Sequence, residues 1–141
     1  MNSIDFICSQ LASWLGLNEF HITANVPSGI IVNQIEIEMV WSSEIDCLAA
    51  LVCLGSMPHN PRYREELLEK SMKDNFLWHG IEDLVLSLDE TDYLYLERKW
   101  NLAPSIVYNF PEDLSLLVSI AQGWRQKLFF LEGADGSRFK V

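Results

Sequence analysis

The chain reads as an α+β domain: an antiparallel sheet of about five strands with three helices, in the order α-βββ-α-ββ-α. Two observations predict it. Apolar positions recur at helical spacing in three separate stretches and alternate at period two in the stretches between them. Gly, Pro, Asn and Asp gather where one pattern gives way to the other. The 141 residues suit a single domain, and a hydrophobic fraction of 49% with five Trp and seven Phe excludes intrinsic disorder despite the high charge. Residues 1–132 are assigned to that domain, and the tail 133–141 is expected to be flexible.

Ser3 can cap a first helix whose apolar positions are Ile4, Ile7, Leu11, Trp14 and Leu15, with Gly16 as its stop. Phe20, Ile22, Ala24 and Val26 then alternate with polar residues up to Pro27-Ser28-Gly29, which predicts a strand and a tight turn. In the next stretch Ile31, Ile35, Ile37, Met39 and Trp41 share one face and Gln34, Glu36 and Glu38 the other, so the first two strands are expected to pair as a hairpin. Residues 45–54 are almost wholly apolar, as in a central strand covered on both faces. Asn60 as cap and Pro61 at the first helical position open a second helix to about residue 77, with Tyr63, Leu67, Leu68, Met72 and Phe76 inward and Gly80 as its cap. Leu84, Leu86 and Leu88, the turn Asp89-Glu90-Thr91-Asp92, and the alternation through Leu94, Leu96 and Trp100 predict a second hairpin. Pro111, Glu112 and Asp113 suit the start of a third helix striped by Leu114, Leu117, Val118, Ala121, Trp124 and Leu128, with a narrower second stripe at Leu116 and Ile120.

Twenty acidic against ten basic side chains leave a formal charge of -10, which repels a phosphate backbone, so nucleic acid is not an expected partner. The longest uninterrupted apolar run, 48–54, is far short of the ~20 residues of a membrane span. No basic residue precedes the first apolar stretch, Cys8, Cys47 and Cys53 form no CxxC, and no Asn-x-Ser/Thr acceptor occurs. Together these predict a protein of the reducing cytoplasm whose cysteines pack rather than pair.

Chemical signatures are missing. There is no phosphate-cradling glycine loop, G-x-S-x-G or H-E-x-x-H, and His21, His59 and His79 are too scattered to suggest a metal site. Asp89, Glu90 and Asp92 lack the glycine and late Glu of a calcium loop and read as a solvated turn, while Glu36 and Glu38 read as a charged outer strand face. No catalytic residue, metal or cofactor is therefore expected. What the sequence has in excess is apolar surface, which a partner could cover.

Several strings, taken with the order of elements and the acidic charge, resemble the class I type III secretion chaperones, small dimeric bacterial proteins that hold effectors before export. They are Trp14-Leu15-Gly16-Leu17 at the end of the first helix, Leu54-Gly55-Ser56-Met57-Pro58 after the apolar strand, Leu67-Leu68 with Asn75 and Gly80, and Leu86 to Asp89 leading into Leu94-Tyr95-Leu96. Phe110 and the span 121–124 of the last helix match as well. Each is a pattern of turns and core positions, so the resemblance rests on their combination. The tail beyond Leu131 departs from the pattern, and residues 45–54 are more apolar than is usual in the family.

The resemblance implies a cytoplasmic homodimer, without catalysis, that binds an extended segment near the N-terminus of one or more effectors and keeps it soluble and export-competent. It places Ile7, Leu11, Phe20, Ile22 and Ile35 near the effector, although periodicity alone equally allows each to be core. It places Phe76, Trp78, Leu84 and Leu86 at the dimer contact and makes docking on an export ATPase an expectation. Two other readings of the residues stay open: a small α+β enzyme with a cone-like pocket using His21 or an acidic residue as base, and an immunity protein whose acidic surface masks a folded toxin.

Overall fold

The computed structural model describes residues 3–78, 84–102 and 109–134, with side chains described except at 76–78 and 132–134. The first helix, α1 (Ser3–Leu15), buries Ile4, Ile7, Leu11 and Ala12. It ends as its glycine predicts: Gly16 has φ 72°, Gly16 N–H reaches the Ser13 carbonyl at 3.3 Å and Leu17 N–H the Ala12 carbonyl at 2.8 Å. That pair of bonds is a Schellman cap. Ser3, expected as the N-cap, is the first residue of α1 and donates its hydroxyl to the Leu102 carbonyl at 3.3 Å.

The expected strand over 20–26 does not form. The segment crosses the edge of the core as irregular chain, with Ile22 buried and Phe20 half-buried, and it is fixed by the Asn25 N–H to the Trp41 carbonyl at 2.8 Å. Beyond Ile22 the alternation fails, since Val26 is exposed. The first strand is β1 (Ser28–Val32), which turns through Asn33 and Gln34 into β2 (Ile35–Ser42). Both turn residues have positive φ, 49° and 68°, the signature of a type I′ turn, whose twist suits a two-residue hairpin. The turn reverses the expected facing of one residue: Ile30 points into the core and Ile31 is 70% exposed.

Trp41 Nε1 bonds to Asp46 Oδ1 across the next turn, which holds Ile45, and β3 (Cys47–Ser56) follows. It is the middle strand, as predicted, but only one face is covered: Leu48, Ala50, Val52 and Leu54 are buried, Ala49 and Leu51 half-buried, and Cys53 exposed. The open face corrects the expectation of a strand covered on both sides. A bulge between Cys53 and Gly55 is accommodated by Gly55 at φ 135°.

Helix α2 (Pro61–Trp78) begins as predicted, the Asn60 side chain accepting from Arg62 N–H at 3.0 Å and Tyr63 N–H at 3.4 Å. Leu67 is buried, and Tyr63 and Leu68 pack against the core, whereas Met72, expected inward, is 72% exposed. The strands β4 (Leu84–Leu88) and β5 (Tyr93–Asn101) form the second hairpin, whose turn is organised by the Asp89 carboxylate accepting from Thr91 N–H, Thr91 Oγ1 and Tyr93 N–H. The α3 helix (Phe110–Ala134) closes the fold, every member of its predicted main stripe being buried.

The antiparallel sheet runs β1-β2-β3-β5-β4, and its inward residues share one core cluster with α1, α2 and α3. Arg98 of β5 is the charged inward residue. Its Nη2 lies 3.3 Å from Asp113 Oδ2 of α3, and that same oxygen accepts from Trp100 Nε1 at 2.9 Å. Lys70 stacks over the Trp124 ring at 5.1 Å and so links α2 to α3. Of the tail expected to be flexible, 133–141, Gly133 and Ala134 instead continue α3, while 135–141 and Gly80 lie outside the described residues.

Candidate functional site

Two neighbouring stretches of chain present features that a folded core does not need. The first is a groove of about 420 Å³ between α1 and the irregular segment after it, lined by Asp5, Cys8, Ser9, Ala12 and Ser13 from the helix and by 17–21 from the segment. Leu17 and half-buried Phe20 give it an apolar strip, and Asp5 and Glu19 give it negative charge. His21 sits on its rim, 3.3 Å from Glu19 Oε2, with both side chains exposed. The Cys8 thiol has its pKa raised, chiefly by burial and further by Asp5, with a backbone hydrogen bond at Ile22 partly offsetting. Burial thus keeps Cys8 a neutral thiol.

The second feature is the free edge of β1. A two-residue turn closes on a hydrogen-bonded pair, here Val32 and Ile35, so Ser28, Ile30 and Val32 direct their main-chain groups to β2. Gly29 and Ile31 direct theirs away from the sheet, and no side chain among the described residues bonds to them. A Cβ built on Gly29 would meet nothing within 4 Å, so the sheet face above this residue is open.

The sequence-predicted contact residues separate against this geometry. Ile7, Leu11, Ile22 and Ile35 are buried at 8% exposure or less and form the floor beneath the groove and hairpin rather than a surface. Phe20 is the one of the five whose side chain lines the groove. Of the residues expected at the dimer contact, Leu84 and Leu86 point into the chain's own core, while the side chains of Phe76 and Trp78 lie outside the described residues. The sequence reading did not single out Ile31 and Gly29. The signal that could have found them is a pair of turn-tolerant residues, Asn33 and Gln34, between two β-branched runs.

Among the described residues, no three His, Cys, Asp or Glu side chains are grouped so as to hold a metal ion, and no helix is long and apolar enough to cross a membrane. A second open groove of about 450 Å³ lies on the uncovered sheet face between Glu36, Glu38, Leu51, Cys53 and Tyr95. It belongs to the face that the sequence reading had covered.

The fold is that of the class I type III secretion chaperones. A chain of the ExsC–ExsE complex superposes with a TM-score of 0.69 at 17% identity, covering 91% of this chain and 97% of its own length. The Yersinia pestis type III secretion chaperone SycH, solved with a stable fragment of YscM2, gives 0.66 at 17% identity, over 86% of this chain and 98% of the other. The HopA1–SchA chaperone–effector complex gives 0.65 at 14% identity, over 88% and 95%. No protein-family model and no curated protein matches the sequence.

Proposed function

We propose that this chain is a cytoplasmic effector chaperone of a type III secretion system, binding an extended N-terminal segment of one or more effectors and keeping it soluble and export-competent. The observation that carries the reading is the free β1 edge. Gly29 and Ile31 offer main-chain donors and acceptors that an extended chain satisfies by strand addition, a mode in which backbone pairing gives affinity and side-chain pockets give selectivity. Two of the similar structures are described as chaperones, one in complex with a protein fragment and one with an effector, and that supports the same reading.

The groove behind α1 would take apolar side chains of the same segment against Leu17 and Phe20, and its acidic rim suits a basic partner. Pairing of two copies would pack exposed side chains of the α2 and β4 side, Met72 and Val85, without main-chain pairing at the β4 edge; Leu84 and Leu86 face the core. Release to an export ATPase completes the role.

Two variants test the reading. Ile31→Pro removes an outward N–H while leaving the β1–β2 bonds in place, which an edge strand tolerates, and Phe20→Asp charges the groove wall. Each should lower retention of the effector by about tenfold with an unchanged circular dichroism spectrum, as expected for one lost interaction of about 1.4 kcal/mol. Full retention by both variants would overturn the assignment of the site.

A further inference from the structure

The sheet has two edges, and they are not alike. At β4, the pairing with β5 puts Leu84, Leu86 and Leu88 on one hydrogen-bonding parity and Val85 and Ser87 on the other. The first set is the one turned outward, as the α2 partners of Leu86 show: Leu86 N–H donates to Asn75 Oδ1 at 2.7 Å, and Asn75 Nδ2 donates to the Leu86 carbonyl at 3.0 Å. A primary carboxamide in this pose presents one acceptor and one donor to the same residue, which is what a peptide unit of an adjoining antiparallel strand would present. Leu86 is the middle residue of five-residue β4, so an incoming strand would find the centre of its ladder occupied. On β1, the corresponding outward groups of Gly29 and Ile31 have no side-chain partner among the described residues.

We infer that Asn75 is a strand-edge plug: it imitates a sixth strand at Leu86, closes β4 to strand addition, and so restricts backbone pairing by a partner to β1. An exposed sheet edge is a template for unwanted pairing, and proteins block such edges with charges, proline, bulges or a covering element. Here a single side chain on a packed helix does so. The direction of the partner to β1 rests on the function proposed above, while the plug itself can be tested on the chain alone.

The experiment measures the protection factor of the Leu86 amide by hydrogen exchange in the isolated protein, together with its association state by sedimentation velocity. For Asn75→Ala, Leu86 protection should fall about tenfold or more and species larger than the wild-type form should appear, because the freed edge pairs with other copies. Asn75→Asp guards against an uninformative loss of folding. Its carboxylate still accepts from Leu86 N–H but repels the Leu86 carbonyl at neutral pH, and when protonated it again offers one acceptor and one donor, so the larger species should appear near pH 7 and disappear below the ordinary carboxylate range. Unchanged Leu86 protection in Asn75→Ala, or lost protection there with no new association, or no association of Asn75→Asp at neutral pH, would overturn the plug. Neither readout involves an effector, so failure of the plug and failure of the chaperone reading are separately visible.

Discussion

Replacing Asp113 tests how the third helix is fastened to the sheet. Its Oδ2 meets Arg98 Nη2 at 3.3 Å and Trp100 Nε1 at 2.9 Å, with the Arg98 side chain 12% and the Asp113 side chain 27% exposed. The Arg98 guanidinium also stacks over the Trp100 ring at 5.1 Å, and Trp100 lies 4.7 Å from Phe110 at the start of α3. Breaking a fully buried ion pair costs about 3–5 kcal/mol and an exposed one about 0–1, so this partly screened pair is placed near 2 kcal/mol. Asp113→Asn keeps an oxygen for Trp100 and removes only the charge, so it should cost about 2 kcal/mol. Asp113→Ala also strands the indole N–H and should cost about 1 kcal/mol more.

Urea unfolding followed by tryptophan fluorescence and circular dichroism measures both. At roughly 3 °C per kcal/mol for a chain of this size, the Asn variant should melt about 6 °C lower than wild type. Glu112→Gln, on an exposed first-turn residue of the same helix, controls for the helix dipole and should cost no more than about 1 kcal/mol. An Asp113→Asn variant within about 0.5 kcal/mol of wild type, or one no different from Asp113→Ala, would refute the account of the pair.

Gly16→Ala should lower stability by about 1–2 kcal/mol in thermal or urea unfolding, since φ 72° disfavours a Cβ even though nothing lies within 4 Å of it. Asp89 has its pKa lowered, first by the Tyr93 backbone N–H and then by the Thr91 hydroxyl. Its contribution is therefore present above the unfolded carboxylate range and lost as pH falls through the lower folded value, so Asp89→Asn should flatten the acid limb of urea midpoints against pH. Alkylation by iodoacetamide at mildly alkaline pH should label exposed Cys53 well before Cys8, whose half-burial both shields the sulfur and holds it as the neutral thiol, with peptide mass spectrometry as the readout.

The elements that were legible are those whose signals are local. Gly16 ends α1, Asn60 and Pro61 start α2, and an unbroken apolar run marks the middle strand, each because the residue type itself dictates the backbone or the burial. The first hairpin was misplaced because alternation at Phe20 and Ile22 arises wherever chain lies along the rim of a core, with or without a partner strand. Its true turn is made by Asn33 and Gln34, neither of them glycine, and it sends Ile31 outward. The outer face of β3 was misread because Ala49, Leu51 and Cys53 are apolar yet open, a difference that periodicity does not encode. The same ambiguity hid the site. The resemblance placed Ile7 and Leu11 at the groove, where periodicity equally allowed core, and they are core in space, while Asn75 acquires its meaning only from Leu86, eleven residues away across a helix-to-strand contact.

If this chain holds an extended segment of a larger protein, native mass spectrometry of the complex captured from a lysate of its source should show one copy of that protein bound through its N-terminal region to two copies of this chain, with that region left unfolded and protected from protease by the pair. Capture of nothing, or of a compact folded protein at one to one, would contradict the account.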